Sequence, residues 1–274
     1  MKIFSMHLIF PGGGVFCWWC FGVIKSLKHL GYDLQHKDLK LSGASAGSIA
    51  CVLAACDVDM DVAMKLALQL ADEAGVFTRK HGLYGIWGKL IERWLIELLP
   101  RDCHLLCSSK VNISITVVTP SLIPMHRRVI NTFYRKEDVI DACLTSVHIP
   151  FFMDGKLTRN FRDHTCVDGS LLFFIRNTPW KVSVDLGENP GALLVHHRND
   201  KKLMAKKWWC LQNISRDAFV EMFNLGFEYG MQRLHENKGA CKMLASIQTA
   251  KTPRPSYVVA IHADYNYPAL DHYV

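Results

Sequence analysis

Apolar residues recur along this chain with two periods, near 2 and near 3.6, and they alternate in blocks. His7-Leu8-Ile9-Phe10 is a short apolar run that stops at a glycine turn, as a buried strand does. Trp18 to Leu30 reads as a helix, and Gly31 stands where a C-terminal cap belongs. Leu39-Lys40-Leu41 predicts a second short strand, and Ala46 to Ala55, rich in small residues, a second helix. Trp87, Leu90, Ile91, Trp94, Leu95 and Leu98 fall on one face of an amphipathic helix. From Asn112 to Val117, polar Asn112, Ser114 and Thr116 alternate with Ile113, Ile115 and Val117, the pattern of a half-buried strand. Val139 to Leu144 predicts a helix; Leu193-Leu194-Val195 and Tyr257 to Ile261 predict strands. Phe219, Met222, Phe223, Gly226, Phe227, Gly230, Met231 and Leu234 form a long helical stripe. Gly226 and Gly230 on that stripe imply that another backbone approaches closely.

Strands alternating with helices predict an α/β layered fold with a mainly parallel sheet. The chain shows neither internal repeats nor a long linker; Thr249 to Ser256, with Pro253 and Pro255, reads as the loop before the last strand. The expected organisation is one domain over residues 1–274, large enough for a substantial core. Apolar residues at 50% against 21% charged exclude a disordered chain.

The formal net charge of +7 favours anionic surfaces. Lipid headgroups fit better than nucleic acid, because the basic pairs Arg79/Lys80, Arg127/Arg128, Lys201/Lys202 and Lys206/Lys207 are scattered and no basic stripe with interleaved aromatics is present. Ten cysteines in a chain this long make no compact disulfide framework and read as reduced thiols in a cytosolic protein. Cys17-x-x-Cys20 and Cys103-x-x-x-Cys107 admit a metal or, more simply, small core hydrophobes; no metal and no cofactor is expected. Pro11-Gly12-Gly13-Gly14 breaks the one run that imitates a signal peptide, and no stretch reaches the ~20 apolar residues of a spanning helix. The expected location is cytoplasmic, with peripheral contact to membranes or lipid droplets. Trp18, Trp19 and Phe21, and Trp208 and Trp209 after Lys206 and Lys207, fit such contact or plain core packing.

Three segments carry chemistry. Gly12, Gly13 and Gly14 lie between a strand and a helix, where converging amides and the helix dipole hold a phosphate or a developing oxyanion. The spacing is neither a Rossmann fingerprint, since Cys17 takes the last glycine's place, nor a Walker loop. Gly43-Ala44-Ser45-Ala46-Gly47 is a G-x-S-x-G between a strand and a helix, the setting of a nucleophile elbow, with Gly43 and Gly47 relieving the sharp turn around Ser45. Asp168-Gly169-Ser170 is either a carboxylate held for proton transfer or an ordinary Asp-Gly turn, and Asp154 and Asp163 compete with it.

In this order the three segments resemble the patatin-like phospholipase family over roughly residues 5 to 180. Asp168 follows Ser45 by 123 positions, Gly22-Val23 matches a Gly-Val of the family's first helix, and Ser146 to Ile149-Pro150 resembles its S-x-x-I-P segment. The resemblance implies a three-layer patatin-like fold and a Ser-Asp dyad without histidine. Ser45 would be the nucleophile and Asp168 the base on the Gly169 turn, with Gly12, Gly13 and Gly14 as the oxyanion hole. The substrate class it implies is a lipid ester, hydrolysed through an acyl-enzyme by a phospholipase A or triacylglycerol lipase. Phe16 and Cys17 depart from the basic residue and glycine common at those positions, and bring the loop closer to the animal adiponutrin-type lipases. Ser170 departs from the family's D-G-G or D-G-A.

Two rival readings stand beside this one. An α/β-hydrolase triad would draw on His196, His197, His235 or His262, but only 31 positions separate Gly14 from Ser45, too few for the strands that usually precede that nucleophile. A non-catalytic lipid-binding member of the same fold is the other.

Overall fold

β1 (Met6–Phe10) is buried at every position, which an interior strand covered on both faces requires. It lies parallel to β2 (Leu39–Ala44) on one side and to β7 (Ala192–Leu194) on the other. β2 in turn runs parallel to β3 (Val111–Val118). The computed structural model describes residues 6–119, 125–172, 192–233, 244–245 and 247–248. The expected strand Tyr257 to Ile261, the loop Thr249 to Ser256 and Leu234 at the end of the helical stripe lie outside the described residues.

Parallel neighbours need crossovers, and helices supply them. α1 (Cys17–His29) links β1 to β2; α2 (Ala46–Ala55), α3 (Met60–Glu73), α4 (Trp87–Leu98) and α5 (Cys103–Cys107) lie between β2 and β3. α1 ends as expected, with Gly31 in the left-handed region at φ 79°. Layers of helices flank the sheet, α2 resting on β1, β2 and β3, and α6 (Lys136–Ser146) on β3.

Beyond β3 the sheet becomes antiparallel, which the sequence patterning did not foresee. β4 (Met125–Ile130) pairs along one edge of β3, from Ile113 to Val118. β6 (His164–Val167) pairs with Thr116 and Val117, and β5 (Arg159–Phe161) pairs with β6. The β5–β6 turn holds Arg162 and Asp163 at φ 45° and 63°, the two positive values a tight hairpin turn needs.

The pairing register sets up the rest. Since β4 fills one edge of β3, β2 and β6 share the other: β2 opposite Val111 to Ser114, β6 opposite Thr116 and Val117. β2 runs with β3 and β6 runs against it. Their C-terminal ends therefore meet head to head at the level of Ile115, and the next residues are Ser45 and Asp168.

α7 (Lys201–Ala205) and α8 (Arg216–Arg233) complete the described elements, and α8 lies along α1. The close approach read from the glycines is present. A Cβ on Gly226 would collide with the Trp19 carbonyl, one on Gly22 with the Phe223 carbonyl, and one on Gly230 with the Ser26 side chain. Trp19 is wholly buried there and its Nε1–H donates to Asp200 Oδ2 at 2.8 Å, so it is core and not a membrane contact. Gly226→Ala is expected to lower stability by about 1–3 kcal/mol, the usual result of overpacking. Chemical denaturation followed by circular dichroism measures it; an unchanged midpoint would mean that the two helices stand further apart.

Candidate active site

Ser45 occupies a strained corner. Its backbone lies at φ 50° and ψ −132°, a region that L-residues rarely adopt, between the end of β2 and the start of α2. The sharp reversal works because its flanks are glycine: a Cβ on Gly43 would strike the Gly47 backbone, and one on Gly47 the carbonyl of Phe10. The Ser48 side chain and amide both donate to the Ser45 carbonyl, at 2.6 and 2.8 Å.

A single hydroxyl spans the gap between β2 and β6. Ser146 Oγ, fully buried, accepts the Ser45 amide at 2.8 Å and donates to the Ser114 carbonyl of β3 at 2.7 Å. The Ser146 carbonyl accepts the Gly169 amide at 2.9 Å, and the His148 carbonyl accepts that of Asp168 at 2.8 Å. One end of α6 thus ties the elbow, the central strand and the aspartate turn together. Gly169 is needed there, because a Cβ would collide with the Ser114 carbonyl.

Asp168 is 4% exposed. Its Oδ1 accepts the Ser170 amide at 2.7 Å, while Oδ2 is buried without a hydrogen-bond partner among the described residues. Burial raises its pKa to about 6, against opposing contributions from the Ser45 hydroxyl and from the amide and hydroxyl of Ser170. A buried carboxylate oxygen with free lone pairs beside a serine hydroxyl is equipped to take a proton.

The glycine turn closes the third side. At Gly12, the position of a Cβ lies 3.0 Å from Ser45 Cβ and overlaps Ser170 Oγ. Among the described residues, no backbone carbonyl accepts from the amides of Gly12, Gly13 or Gly14, whereas that of Val15 is taken by the Cys210 carbonyl at 2.9 Å. Gly14 has φ 55°. The segment before and after α7 backs the turn: His197 packs on Gly13 and stacks on Phe16, with ring centroids 4.6 Å apart. Burial, helped by His196 and Arg198, lowers the His197 pKa to about 3, so the ring is neutral.

From Ser45 and Gly14 an apolar cleft runs outward between α1, α3, α4 and α8. Its non-atom space, open solvent included, is about 770 Å³. Cys17, Trp18, Ile49, Leu90, Trp94 and Phe219 are among its walls, and among the described residues Ser45 carries the only hydroxyl in the lining.

Ser45, Asp168, Gly12, Gly43, Gly47 and Gly169 are therefore brought together, with Gly13 and Gly14 in the adjoining turn. The competitors are not: Asp163 is an exposed turn residue, and Asp154 accepts the Lys156 amide of its own loop at 3.0 Å. No described histidine hydrogen-bonds to Ser45 or Asp168. His148 contributes its carbonyl, while its ring faces the charges of Asp154, Arg159 and Lys156. His235 and His262 lie outside the described residues. Cys17 and Cys20 are buried thiols with pKa values pushed up by burial. Of the four lysines around α7, Lys202 pairs with Glu228 at 2.7 Å and Lys206 with Glu221, so half of that basic cluster is compensated. The sequence reading marked Ser146 only as part of a motif and Ser170 only as a departure from the family pattern, and passed over His197 as a backing residue and the Cys210 carbonyl.

Comparison with known proteins agrees with this layout. A family model described as Patatin-like phospholipase matches residues 8–183. The human 1-acylglycerol-3-phosphate O-acyltransferase PNPLA3 is 28% identical over 169 residues, covering 60% of this chain and 33% of its own. The human Omega-hydroxyceramide transacylase is 24% identical over 166 residues, covering 58% of this chain and 29% of its own. The mouse Patatin-like phospholipase domain-containing protein 5 is 24% identical over 267 residues, 95% of this chain and 54% of that one. The chain spans about a third of the length of the first two and about half of the third. With the family model matching well over half of its residues in an α/β fold of helices on a mixed sheet, the chain belongs to the patatin-like phospholipase family.

Proposed function

We propose that this protein is a serine acyl-hydrolase that cleaves carboxylic esters of lipids through a Ser45–Asp168 dyad. The observation that carries the reading is the buried Oδ2 of Asp168, without a hydrogen-bond partner among the described residues, beside a strained Ser45 that lines an apolar cleft. Ser45 Oγ attacks the ester carbonyl carbon as its proton passes to Asp168. The resulting oxyanion is held by the amides of Gly12 to Gly14, an interaction worth several kcal/mol of barrier. The C–O bond to the leaving alcohol breaks, and Asp168 returns the proton to that alcohol. Water then attacks the acyl-serine and gives its proton to Asp168, which returns it to Ser45 Oγ as the serine–acyl bond breaks and the fatty acid leaves. A lipid alcohol in place of water makes the same cycle a transacylation, and the names of two relatives support that variant. The acyl chain occupies the cleft, whose described side chains are apolar apart from Ser45.

The lipid reaches the cleft over an aromatic lip. Leu83 on one loop, Trp87 at the start of α4 and Met153 on a second loop line the cleft, and the two loops are joined by Gly85 N–H to the Phe152 carbonyl at 2.8 Å. On the outer side of the same loops Tyr84 and Phe151 are 48% and 52% exposed. This apolar rim, continuous with the acyl cleft, is the surface that contacts a membrane or lipid droplet. It contributes more than the lysines near α7, two of which are ion-paired.

A serine-directed fluorophosphonate probe is expected to label the protein, and Ser45→Ala to lose both labelling and esterase activity with the fold retained by circular dichroism. Labelling that persists in Ser45→Ala would sink the assignment, and absence of labelling in the unaltered protein would leave a lipid-binding protein without this chemistry. Because the base must be ionised, kcat/KM is expected to fall as pH drops through about 6.

The raised pKa has a stability consequence of defined sign. The folded state holds the Asp168 proton to higher pH than the unfolded chain, so stability falls as pH rises from about 4 to about 6. Above that range the buried charge costs on the order of 3 kcal/mol. Asp168→Asn is expected to be inactive yet more stable at pH 7, with that part of the pH dependence gone. A thermal melt at pH 4.5 and at pH 7 checks it; a lower midpoint than the unaltered protein at pH 7 would contradict the buried-charge account.

Tyr84→Ser with Phe151→Ser is expected to weaken co-sedimentation with neutral phosphatidylcholine vesicles, while hydrolysis of a soluble short-chain ester stays within twofold. Unchanged vesicle binding would move the contact elsewhere.

A further inference from the structure

Ser170 stands where the family pattern has glycine or alanine, and the fold gives its hydroxyl an unusual place. The residue is 2% exposed, and among the described residues its Oγ has no hydrogen-bond partner of regular geometry. It lies against the Cα of Gly12, overlapping the position a Cβ would take, and Ser45 Cβ is 3.0 Å from that same position. Its amide is already on Asp168 Oδ1 at 2.7 Å, which fixes the residue directly over the carboxylate. Two serine hydroxyls thus face one buried carboxylate whose second oxygen is free. An unpaired hydroxyl enclosed this way costs about 1–3 kcal/mol unless it finds an acceptor, and Asp168 Oδ2 is the adjacent acceptor that also lacks a partner.

We propose that Ser170 is a positioning residue of the dyad: its hydroxyl donates to Asp168, holding the carboxylate ionised and turned toward Ser45 when the nucleophile is engaged with substrate. This rests on the dyad described above and extends it. When the Ser45 hydroxyl turns from the carboxylate to attack the ester, the buried charge loses a neighbour that favours ionisation; the Ser170 hydroxyl remains. The Ser170 hydroxyl opposes the effect of burial on the Asp168 pKa, in keeping with this geometry. The surroundings offer little else that does so. Cys210 on the backing segment senses the Asp168 charge, but its own thiol is pushed up by burial and stays neutral. His197 is on the Gly13 side of the glycine turn and is neutral. Cys166 on β6 is a buried thiol, also pushed up by burial, and burial lowers the pKa of His148. Ser146 and Ser48 are committed to backbone carbonyls.

The test is the pH dependence of the rate at which a fluorophosphonate labels Ser45, in the unaltered protein, in Ser170→Ala and in Ser170→Gly. In both variants the acid limb is expected to move up by about half a unit or more, the size expected for losing one hydrogen bond to a carboxylate. The limiting rate above pH 8 is expected to stay within a few-fold, because Asp168 is ionised there. Identical limbs in all three proteins would overturn the proposal, as would a loss of rate that is the same at every pH, which would place the hydroxyl on the substrate instead. If the unaltered protein is not labelled at any pH, the dyad itself fails, an outcome distinct from either. Circular dichroism and melting temperature confirm that the small substitutions keep the fold, and Ser170→Gly, which cannot clash with Gly12, guards against a packing artefact of alanine.

Discussion

The site depends on one constraint: two strands of opposite direction share one edge of β3 and stop one residue short of each other. Paired β-strands are fixed in register by their hydrogen bonds, so the residue after β2 and the residue after β6 have no choice but to face each other across Ile115. Ser45 and Asp168 are distant in sequence and adjacent in space for that reason. The gap leaves backbone groups without ladder partners. The Ser146 hydroxyl fills it, accepting the Ser45 amide and donating to the Ser114 carbonyl. A methyl group there would strand both. The same side chain that satisfies the sheet therefore also sets the height of Ser45 above it.

The electrostatics follow from that enclosure. Were the end of β6 open to solvent, Asp168 would have an ordinary carboxylate pKa and be a poor base. Enclosed by β3, the glycine turn and the end of α6, it keeps only short-range hydrogen bonds to offset desolvation, and burial wins. The site thus carries two costs, a strained Ser45 backbone and a buried acid. Both are borne by the surrounding core, in which β1 to β3, α1 and α2 are buried almost without interruption.

The parallel half of the fold was legible in the sequence because each of its elements buries one clear stripe or run. β1, α1, α2, α4 and α8 fall within a few residues of where the patterning puts them. β2 runs three residues further than its apolar run, since Ser42, Gly43 and Ala44 are strand without looking like it. Ser42 is buried only because His7 Nε2 and Asn112 Nδ2 reach its hydroxyl, at 2.6 and 3.0 Å, a network that single-residue patterning cannot show. α3 escaped notice although Asp59 caps it, accepting from the amides of Asp61 and Val62. Its apolar face is built largely from alanine and methionine, a weaker signal than a leucine stripe. β4 escaped because it is an edge strand whose Arg127, Arg128 and His126 are held by pairing rather than by burial. At the site, motif order picked out Ser45, Asp168 and the glycines. It was silent on Cys210, which acts through its carbonyl, and no residue type announces a carbonyl.

The loop that departs from the family pattern shows how such a change is accommodated. Where many members place a basic residue and a glycine, this chain has Phe16 and Cys17. A glycine at the start of α1 would leave room for another group; here Cys17 is buried and its side chain becomes part of the cleft wall. Phe16 turns the other way and stacks on His197, within 18° of parallel. The His197 ring also covers Gly13, and the next contact along the same segment, the Cys210 carbonyl on the Val15 amide, holds the turn from below Gly14. An exposed cation would fix the loop by a solvent-screened interaction, worth little at the surface. A buried aromatic stack and a backbone hydrogen bond fix it by packing, and packing tolerates less movement. That stiffness matters for the three glycine amides. In the reaction proposed above they would meet a developing negative charge without reorganising, because the segment from His197 to Cys210 already holds the turn.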